Sequence, residues 1–186
     1  MIRGGAFVTI GLCCAALIAA GASARAASVS GTIADPSIVW VSDGSSVADA
    51  EAQIHNDNRE FVPSLLVIRA GTSVRFPNDD PFFHSIYSSS PLDPFDIGYY
   101  GLGPGKLVRF SRSAVVEVRC HIHPKMHGTI VVVDGPNSGG LVTQFRIRDV
   151  LPGTHELHWW NARTGEKTLQ VAIPAGDATQ DVGALR

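Results

Sequence analysis

Short runs of β-branched and aliphatic residues constrain the fold of this chain more than any other feature of its sequence. The runs at residues 65–69, 115–119 and 129–133 are bounded by Gly, Pro, Asn or Asp, which is typical of strands between turns. No stretch of eleven or more residues shows a convincing helical period. The pattern predicts an all-β fold, an antiparallel Greek-key β-sandwich with a small C-terminal β appendage.

The strand pattern also divides the chain. We predict strands at residues 29–33, 38–41, 50–55, 65–68, 73–77, 84–87, 107–110, 115–120, 129–133, 141–147, 156–160, 169–173 and 180–184. Residues 88–106 are rich in Pro, Gly and Ser, and we expect one long loop there. Residues 134–140 are the strongest boundary signal. The strands after them would form a sheet too small to bury its apolar face alone. They should therefore pack on the main sandwich or pair with strands before residue 42.

The N-terminus has the pattern of a cleaved secretory signal. Arg3 precedes an uncharged apolar run at residues 6–22, and Ala24 and Ala26 offer small residues at the cleavage spacing. We therefore expect a periplasmic or secreted protein with no stable membrane insertion after cleavage; a retained anchor is the alternative. The predicted domains are a signal peptide (1–26), a main β-sandwich (27–136) and a small β module (137–186).

Cleavage would leave Cys120 as the one cysteine of the mature chain, because Cys13 and Cys14 lie within the signal. An intramolecular disulfide would then be impossible. A lone thiol in an oxidising compartment is an accident, an intermolecular bridge or a metal ligand. The residues around Cys120 decide between these possibilities.

The charge balance and the missing motifs exclude several classes of function. Without Arg3 and Arg25, the 15 basic side chains fall to 13 against 17 acidic ones, a net charge of about −4. Such a balance excludes the basic footprint of a nucleic-acid-binding protein. No nucleophile–base pairing or organic-cofactor fingerprint is present, so we predict that the chain is not an enzyme.

The segment C-H-I-H-P-K-M favours a metal ligand. Two residues separate Cys120 from His123, and two separate His123 from Met126, so one turn can bring three donors to one ion. Pro124 stiffens that turn by fixing its own φ. His84 can supply a second imidazole from a separate strand end. One thiolate, two imidazoles and a thioether favour a single copper ion that cycles between Cu(I) and Cu(II).

These motifs resemble a known family. Residues 110–134 look like the C-terminal loop of amicyanin-type cupredoxins, which share the spacing C-x2-H-x2-M. Asn78 lies six residues before His84, as a structural Asn does in that family. The sequence of residues 47–136 resembles cupredoxin-like proteins of the methylamine-utilisation type even more closely. One departure is Val118, where amicyanin-like chains tend to carry an aromatic residue.

The resemblance implies a plastocyanin-like cupredoxin sandwich and assigns roles to residues. His84, Cys120 and His123 would bind copper in one plane, with Met126 as the axial ligand. Asn78 would brace the Cys120 loop through hydrogen bonds. The implied function is a one-electron carrier between redox partner proteins, with a donor and an acceptor that the sequence does not identify.

Two other functions, and ordinary structural roles for the predicted ligands, are alternatives. The additional His121 and His127 suggest copper binding or delivery without electron shuttling, although alternation should point His121 away from Cys120. An extracytoplasmic scaffold or adhesion module is a third possibility, since residues 145–159 weakly resemble carboxypeptidase-regulatory or transthyretin-like modules.

Cys120, His84 and Met126 can each also be explained as ordinary core or hydrogen-bonded residues. The neighbouring Trp159 and Trp160 should face opposite sides of a strand, one of them in a core and the other packed or exposed.

Overall fold

The computed structural model describes residues 26–186, and every helix or strand in that range is a β-strand. The predicted signal peptide lies, up to residue 25, outside the described residues. Within residues 26–186, no helix has the length and hydropathy that a membrane span requires. The strands are β1 (Ala27–Ser42), β2 (Glu51–Gln53), β3 (His55–Asp57), β4 (Glu60–Val62), β5 (Leu65–Arg69), β6 (Ser73–Asn78), β7 (His84–Ser88), β8 (Phe95–Tyr100), β9 (Gly103–Arg109), β10 (Ala114–Cys120), β11 (His127–Val133), β12 (Val142–Val150), β13 (Gly153–Asn161), β14 (Gly165–Ile173) and β15 (Thr179–Leu185).

Strands β2–β11 form what we call the central sandwich. One sheet has the order β5-β11-β10-β7-β8; the other has the order β2-β6-β3-β4, with β9 also paired to β6. Their facing side chains alternate along each strand and meet in one core. This core includes Phe76 and Val118, both fully buried, and Cys120 and Met126 belong to the same cluster. The ligand loop therefore lies at the end of a packed core.

Strand β1 and strands β12–β15 form a second region, which we call the terminal unit. The first half of β1 pairs with β12 and β15, and its second half pairs with β13, which in turn pairs with β14. The expected division placed residues 27–42 in the main sandwich, whereas these pairings lie with the C-terminal strands. The physical reason is the one anticipated as an alternative: the four C-terminal strands alone would bury too little apolar surface.

The two regions are joined by an apolar junction. Trp40 and Trp160 of the terminal unit pack against Val131 and Val133 on the outer face of β11. The segment 134–140 is itself held to β1 by hydrogen bonds, among them Val41 N–H to Pro136 O at 2.9 Å and Ser138 N–H to Val39 O at 2.8 Å. The boundary segment is thus part of the junction, because backbone hydrogen bonds hold it to β1.

The all-β prediction is confirmed, with two local departures. Several strand pairs are parallel, namely β5–β11, β2–β6, β3–β6 and β1–β15, so the sheets are mixed and not purely antiparallel. The expectation of one long loop over residues 88–106 was wrong. β8 lies there and pairs with β7, and β9 begins at Gly103. A register shift between Ser85 and Tyr87 interrupts the β7–β8 pairing, and such irregularity hides the strand from a simple alternation test.

Candidate metal centre

Two neighbouring strands bring the predicted ligands together. His84 is the first residue of β7, and Cys120 is the last residue of β10. These strands are antiparallel, with Cys120 opposite Ile86. The pairing continues past the strand end, since His121 N–H donates to Ser85 O at 3.0 Å. Antiparallel pairing therefore places the start of one strand beside the end of the other, and the two side chains meet inside the core.

Three donor atoms converge at this point. The Cys120 Sγ lies 3.8 Å from His84 Nδ1 and 3.9 Å from His123 Nδ1. The three possible donor atoms all lie within 4.8 Å of one another. Within residues 26–186, these three side chains form a group that could hold a metal ion. His84 is fully buried, Cys120 is nearly so, and His123 is half-buried. The two sulfur–nitrogen distances fit a single ion, because a sulfur about 2.3 Å and a nitrogen about 2.0 Å from a common centre in a trigonal arrangement are about 3.7 Å apart.

The loop between β10 and β11 carries the other two predicted ligands. Met126 N–H donates to His123 O at 2.9 Å, which closes the turn. Met126 is only 2% exposed and belongs to the sandwich core. The Phe82 ring lies edge-on to His123, with 5.4 Å between ring centroids. This packing restrains the His123 ring, while axial ligation by Met126 stays a prediction.

Asn78 braces a different loop from the one expected. Its side-chain amide donates to Phe82 O at 2.8 Å, and its Oδ1 accepts from Asp80 N–H at 3.0 Å. Both partners lie in the segment that leads to His84, not in the Cys120 loop. The fully buried Asn78 thus folds the chain between β6 and β7, and its support of the site passes through His84.

Asp80 is a buried neighbour of His84 that the sequence did not reveal. Its Oδ2 lies 2.9 Å from His84 Nε2, and both side chains are buried. The backbone N–H groups of Asn58 and Arg59 donate to its two oxygens at 2.9 and 3.1 Å. A possible signal was its spacing of four residues from His84, but its two backbone partners come from a distant hairpin.

The electrostatics of the site favour a neutral imidazole and an ionised carboxylate. Burial lowers the pKa of His123, the nearby His84 and Arg59 lower it further, and Asp80 acts in the opposite direction. For Asp80, burial raises the pKa, but the hydrogen bonds from Arg59 N–H, His84 and Asn58 N–H together outweigh it, and the pKa is lowered. Metal ligation requires an unprotonated imidazole nitrogen, so both directions suit a metal centre.

The surplus histidines lie elsewhere. His121 is exposed, stacks on Tyr87 at 3.9 Å between centroids and pairs with Asp96 at 3.2 Å. It points away from the buried Cys120, as strand alternation predicted. His127 is exposed, and its Nδ1 lies 2.9 Å from Lys125 O.

The three remaining histidines have local partners. His55 pairs with Asp79, His155 with the Leu151 carbonyl and His158 with Glu166.

The two tryptophans of β13 face opposite sides, as predicted, and both are buried. Trp159 is part of the core of the terminal unit, and Trp160 is part of the junction. Trp160 is only 8% exposed. Of the two alternatives for its side chain, packing against the main sandwich is the one observed.

Outside the predicted ligand set, the surface near His123 is partly apolar. A groove of about 500 Å³ is lined by His123, Pro124, Met126 and the Asn58–Glu60 turn. Phe83 is 61% exposed and Ile122 is 38% exposed. Phe83 and Ile122 flank in sequence the two segments that carry His84 and His123.

Comparison with known proteins finds structural similarity only. No family model matches the sequence, and no curated protein matches it. A reduced tryptophan-to-tyrosine variant of amicyanin is similar to this chain with a TM-score of 0.42 and 17% identity, over 50% of this chain and 97% of amicyanin. A methionine-to-alanine variant of amicyanin in the Cu(I) form has a TM-score of 0.42 and 15% identity over the same shares. The copper-containing nitrite reductase of Thermus scotoductus SA-01 has a TM-score of 0.43 and 26% identity, over 46% of this chain and 23% of that enzyme.

Proposed function

We propose that this chain is an exported mononuclear copper protein of the blue type, which carries one electron at a time between redox partner proteins. His84, Cys120 and His123 would hold the ion, and Met126 would supply a weaker fourth donor through its thioether. Asn78 supports His84 from outside the ligand set. The chain acts as a carrier and not as an enzyme, and the predicted export places the exchange outside the cytoplasm.

One observation supports this proposal above all. The thiol of Cys120 lies 3.8 and 3.9 Å from two imidazole Nδ1 atoms, in a pocket closed by the sandwich core. Sulfur and imidazole donors suit copper in both oxidation states and do not suit magnesium, calcium or manganese. A structural zinc site would use four Cys or His ligands, whereas only three such donors converge among the described residues.

The protein contributes a rigid ligand set. Copper bound there supplies a one-electron couple, Cu(II)/Cu(I), that needs no bond to form or break. A reduced donor protein loses one electron, and an oxidised acceptor gains it. The buried His84 and Cys120 on paired strands keep the ligand positions fixed, which lowers the reorganisation that each transfer requires. The half-buried His123, which lines a surface groove with Pro124, offers the route to a partner.

A spectroscopic experiment tests the ligand set. Mature protein loaded with Cu(II) is expected to show intense absorption from thiolate-to-copper charge transfer, at one copper per chain. Cys120→Ala removes the thiolate and abolishes the colour. His121→Ala is the matched control, since His121 is the next residue but points away, and it keeps the colour. A colourless loaded protein, or colour that survives in Cys120→Ala, would contradict the proposal.

Copper delivery is the second candidate. The exposed His127 borders the same groove as the buried Met126, which offers an exit for Cu(I) from the ligand loop. Stopped-flow reduction and transfer to an apo acceptor separate the two functions. The carrier reduces and reoxidises rapidly with its copper retained. Copper loss to the acceptor that outpaces electron exchange, and that slows in His127→Ala, would favour delivery instead.

A further inference from the structure

The buried carboxylate of Asp80 supplies no donor atom to the proposed ligand set, yet it lies directly behind one ligand. Its Oδ2 is 2.9 Å from His84 Nε2, on the side of the ring away from Cys120. Asp80 is 5% exposed and His84 is fully buried. An aspartate is rarely buried without a specific partner, so this pair is a built feature of the site.

We infer that Asp80 is a positioning residue that turns the His84 ring so that Nδ1 faces Cys120, and that its buried negative charge lowers the reduction potential of the copper site. This inference rests on the proposed function. The first half of the inference concerns the chain without metal, and the second half concerns the loaded protein.

The hydrogen bonds define the state of both groups. Asp80 Oδ1 accepts from Asn58 N–H, and Oδ2 accepts from Arg59 N–H and faces His84 Nε2. Backbone donors on both oxygens stabilise the ionised carboxylate, and an ionised carboxylate is an acceptor only, so Asp80 accepts from His84 as well. The proton of His84 is then on Nε2, and the Nδ1 lone pair is free to point at Sγ. Outer hydrogen bonds of this kind orient metal-ligating imidazoles and raise their basicity.

A tight turn holds the carboxylate in place. Asn58 and Arg59 are the two loop residues of the β3–β4 hairpin, with φ of 53° and 62°. Positive φ at both positions is what a type I′ hairpin turn requires. Neither residue is glycine, so the left-handed conformation is unfavourable by itself. The two N–H groups that this turn directs at Asp80 offset that cost, and the turn fixes Asp80 relative to β7.

Charge decides the direction of the effect on potential. A negative charge behind a ligand stabilises the more positive oxidation state, Cu(II), and so lowers the potential. The Arg59 guanidinium, 4.5 Å from the Phe82 ring centroid, acts in the opposite direction. Arg59 is exposed, however, and an exposed charge is screened by water and salt. The buried Asp80 is screened much less, so its effect is the larger one.

Asp80→Asn and Asp79→Asn form a matched pair for the test. Each removes one carboxylate from neighbouring positions, but Asp79 is half exposed and pairs with His55. We expect Asp80→Asn to weaken Cu(II) binding about 10- to 100-fold, to weaken Cu(I) binding less, and to raise the reduction potential. Asp79→Asn leaves both affinities and the potential close to those of the natural sequence. Equal potentials for all three proteins, or equal shifts in both variants, would overturn the claim on potential.

The positioning claim is measured on the natural sequence without metal. Nitrogen-15 NMR of the imidazole groups is expected to show His84 protonated at Nε2 and unprotonated at Nδ1. A proton on Nδ1 in the metal-free protein would overturn this claim, whether or not Asp80→Asn folds.

The two measurements separate failure of the inference from failure of the proposed function. A natural sequence that binds Cu(II) without thiolate colour defeats the proposed function and the claim on potential together. The tautomer of His84 then still decides the positioning claim. Blue copper with unchanged potential in Asp80→Asn defeats the inference about potential alone.

Discussion

The central sandwich and the terminal unit treat buried polar groups in different ways. In the terminal unit, the buried polar side chains Ser37 and Asn161 bind each other at 3.0 Å. In the central sandwich, Asn78, Asp80 and His84 are buried together at one end of the core. A buried polar group costs free energy unless it is paired. Among the described residues, the terminal unit keeps few such groups, whereas the central sandwich has more of them and places Asn78, Asp80 and His84 at the site.

The difference separates a region with an almost entirely apolar core from a region that buries a polar cluster. The core of the terminal unit is aliphatic and aromatic, and the junction adds two tryptophans. The central sandwich accepts a buried carboxylate and a buried imidazole, and it supports them with hydrogen bonds from the β3–β4 turn. Substitutions in the terminal unit should therefore change folding stability, and substitutions in the polar cluster should change metal binding.

The largest expected effect is at the junction. Trp40 is 1% exposed and stacks on His158 with 4.8 Å between ring centroids. Trp40→Ala leaves a cavity, and we expect a loss of about 3–5 kcal/mol in the free energy of unfolding, measured by chemical denaturation. Leu151→Ala, at a side chain that is 53% exposed, should change it by less than about 0.5 kcal/mol. Equal small losses would show that the junction contributes little.

The next effect concerns metal binding. His84→Ala removes a proposed ligand, and we expect Cu(II) affinity to fall by more than the roughly 100-fold that loss of an outer hydrogen bond can cost. His158→Ala is the counterpart in the terminal unit; it removes the stack on Trp40 and should leave Cu(II) affinity unchanged. Competition titration with a chelator measures both. A similar loss of affinity in both variants would erase the distinction between the regions.

A third pair of variants compares buried amides. The Asn56 amide donates to Pro77 O and to the Tyr100 hydroxyl at 2.8 and 2.7 Å, and Asn161 donates to Ser37. Replacing either by Ala should cost about 1–3 kcal/mol, because buried partners are left unpaired. Only Asn56→Ala should also alter the copper absorption spectrum, since Tyr100 pairs with His84 across β7 and β8. A spectrum changed by Asn161→Ala would contradict this.

The smallest effect is expected at the surface of the terminal unit. Asp35 and Arg163 form an exposed ion pair. Asp35→Asn should lower the free energy of unfolding by less than about 1 kcal/mol, and the difference should shrink as salt is added. Thermal unfolding at low and high ionic strength measures it. A loss as large as that of Asn56→Ala would show that this pair is more than a surface contact.

Much of the architecture was predictable because its signals are local. The runs that form β5, β10 and β11 are short, rich in β-branched residues and bounded by turn residues, and this pattern suffices to find them. The spacing of Cys120, His123 and Met126 predicted a single loop, and the structure does bring Cys120, His123 and His84 together. Ligation itself stays a prediction.

What the sequence did not reveal depends on contacts between distant segments. β8 was missed because Pro, Gly and Ser dominate the segment around it. The role of Asp80 depends on a hairpin about twenty residues away, with Asn58 and Arg59 at positive φ. The partner of Asn78 depends on how its own loop folds. No pattern within a short window encodes these arrangements, because each needs the positions of two separate chain segments.

The pairing of β1 has a consequence for the order of events in folding. Ser37 lies opposite Val142, so the whole of β2–β11 is an insertion between two adjacent strands of another sheet. The inserted sandwich can close from contacts within itself, whereas the surrounding sheet must join the two ends of the chain. Loop closure over such a span is slow. The inserted sandwich should therefore fold first and bring Ser42 and Val142 close together. The strands of the outer sheet can then pair with one another on this folded template.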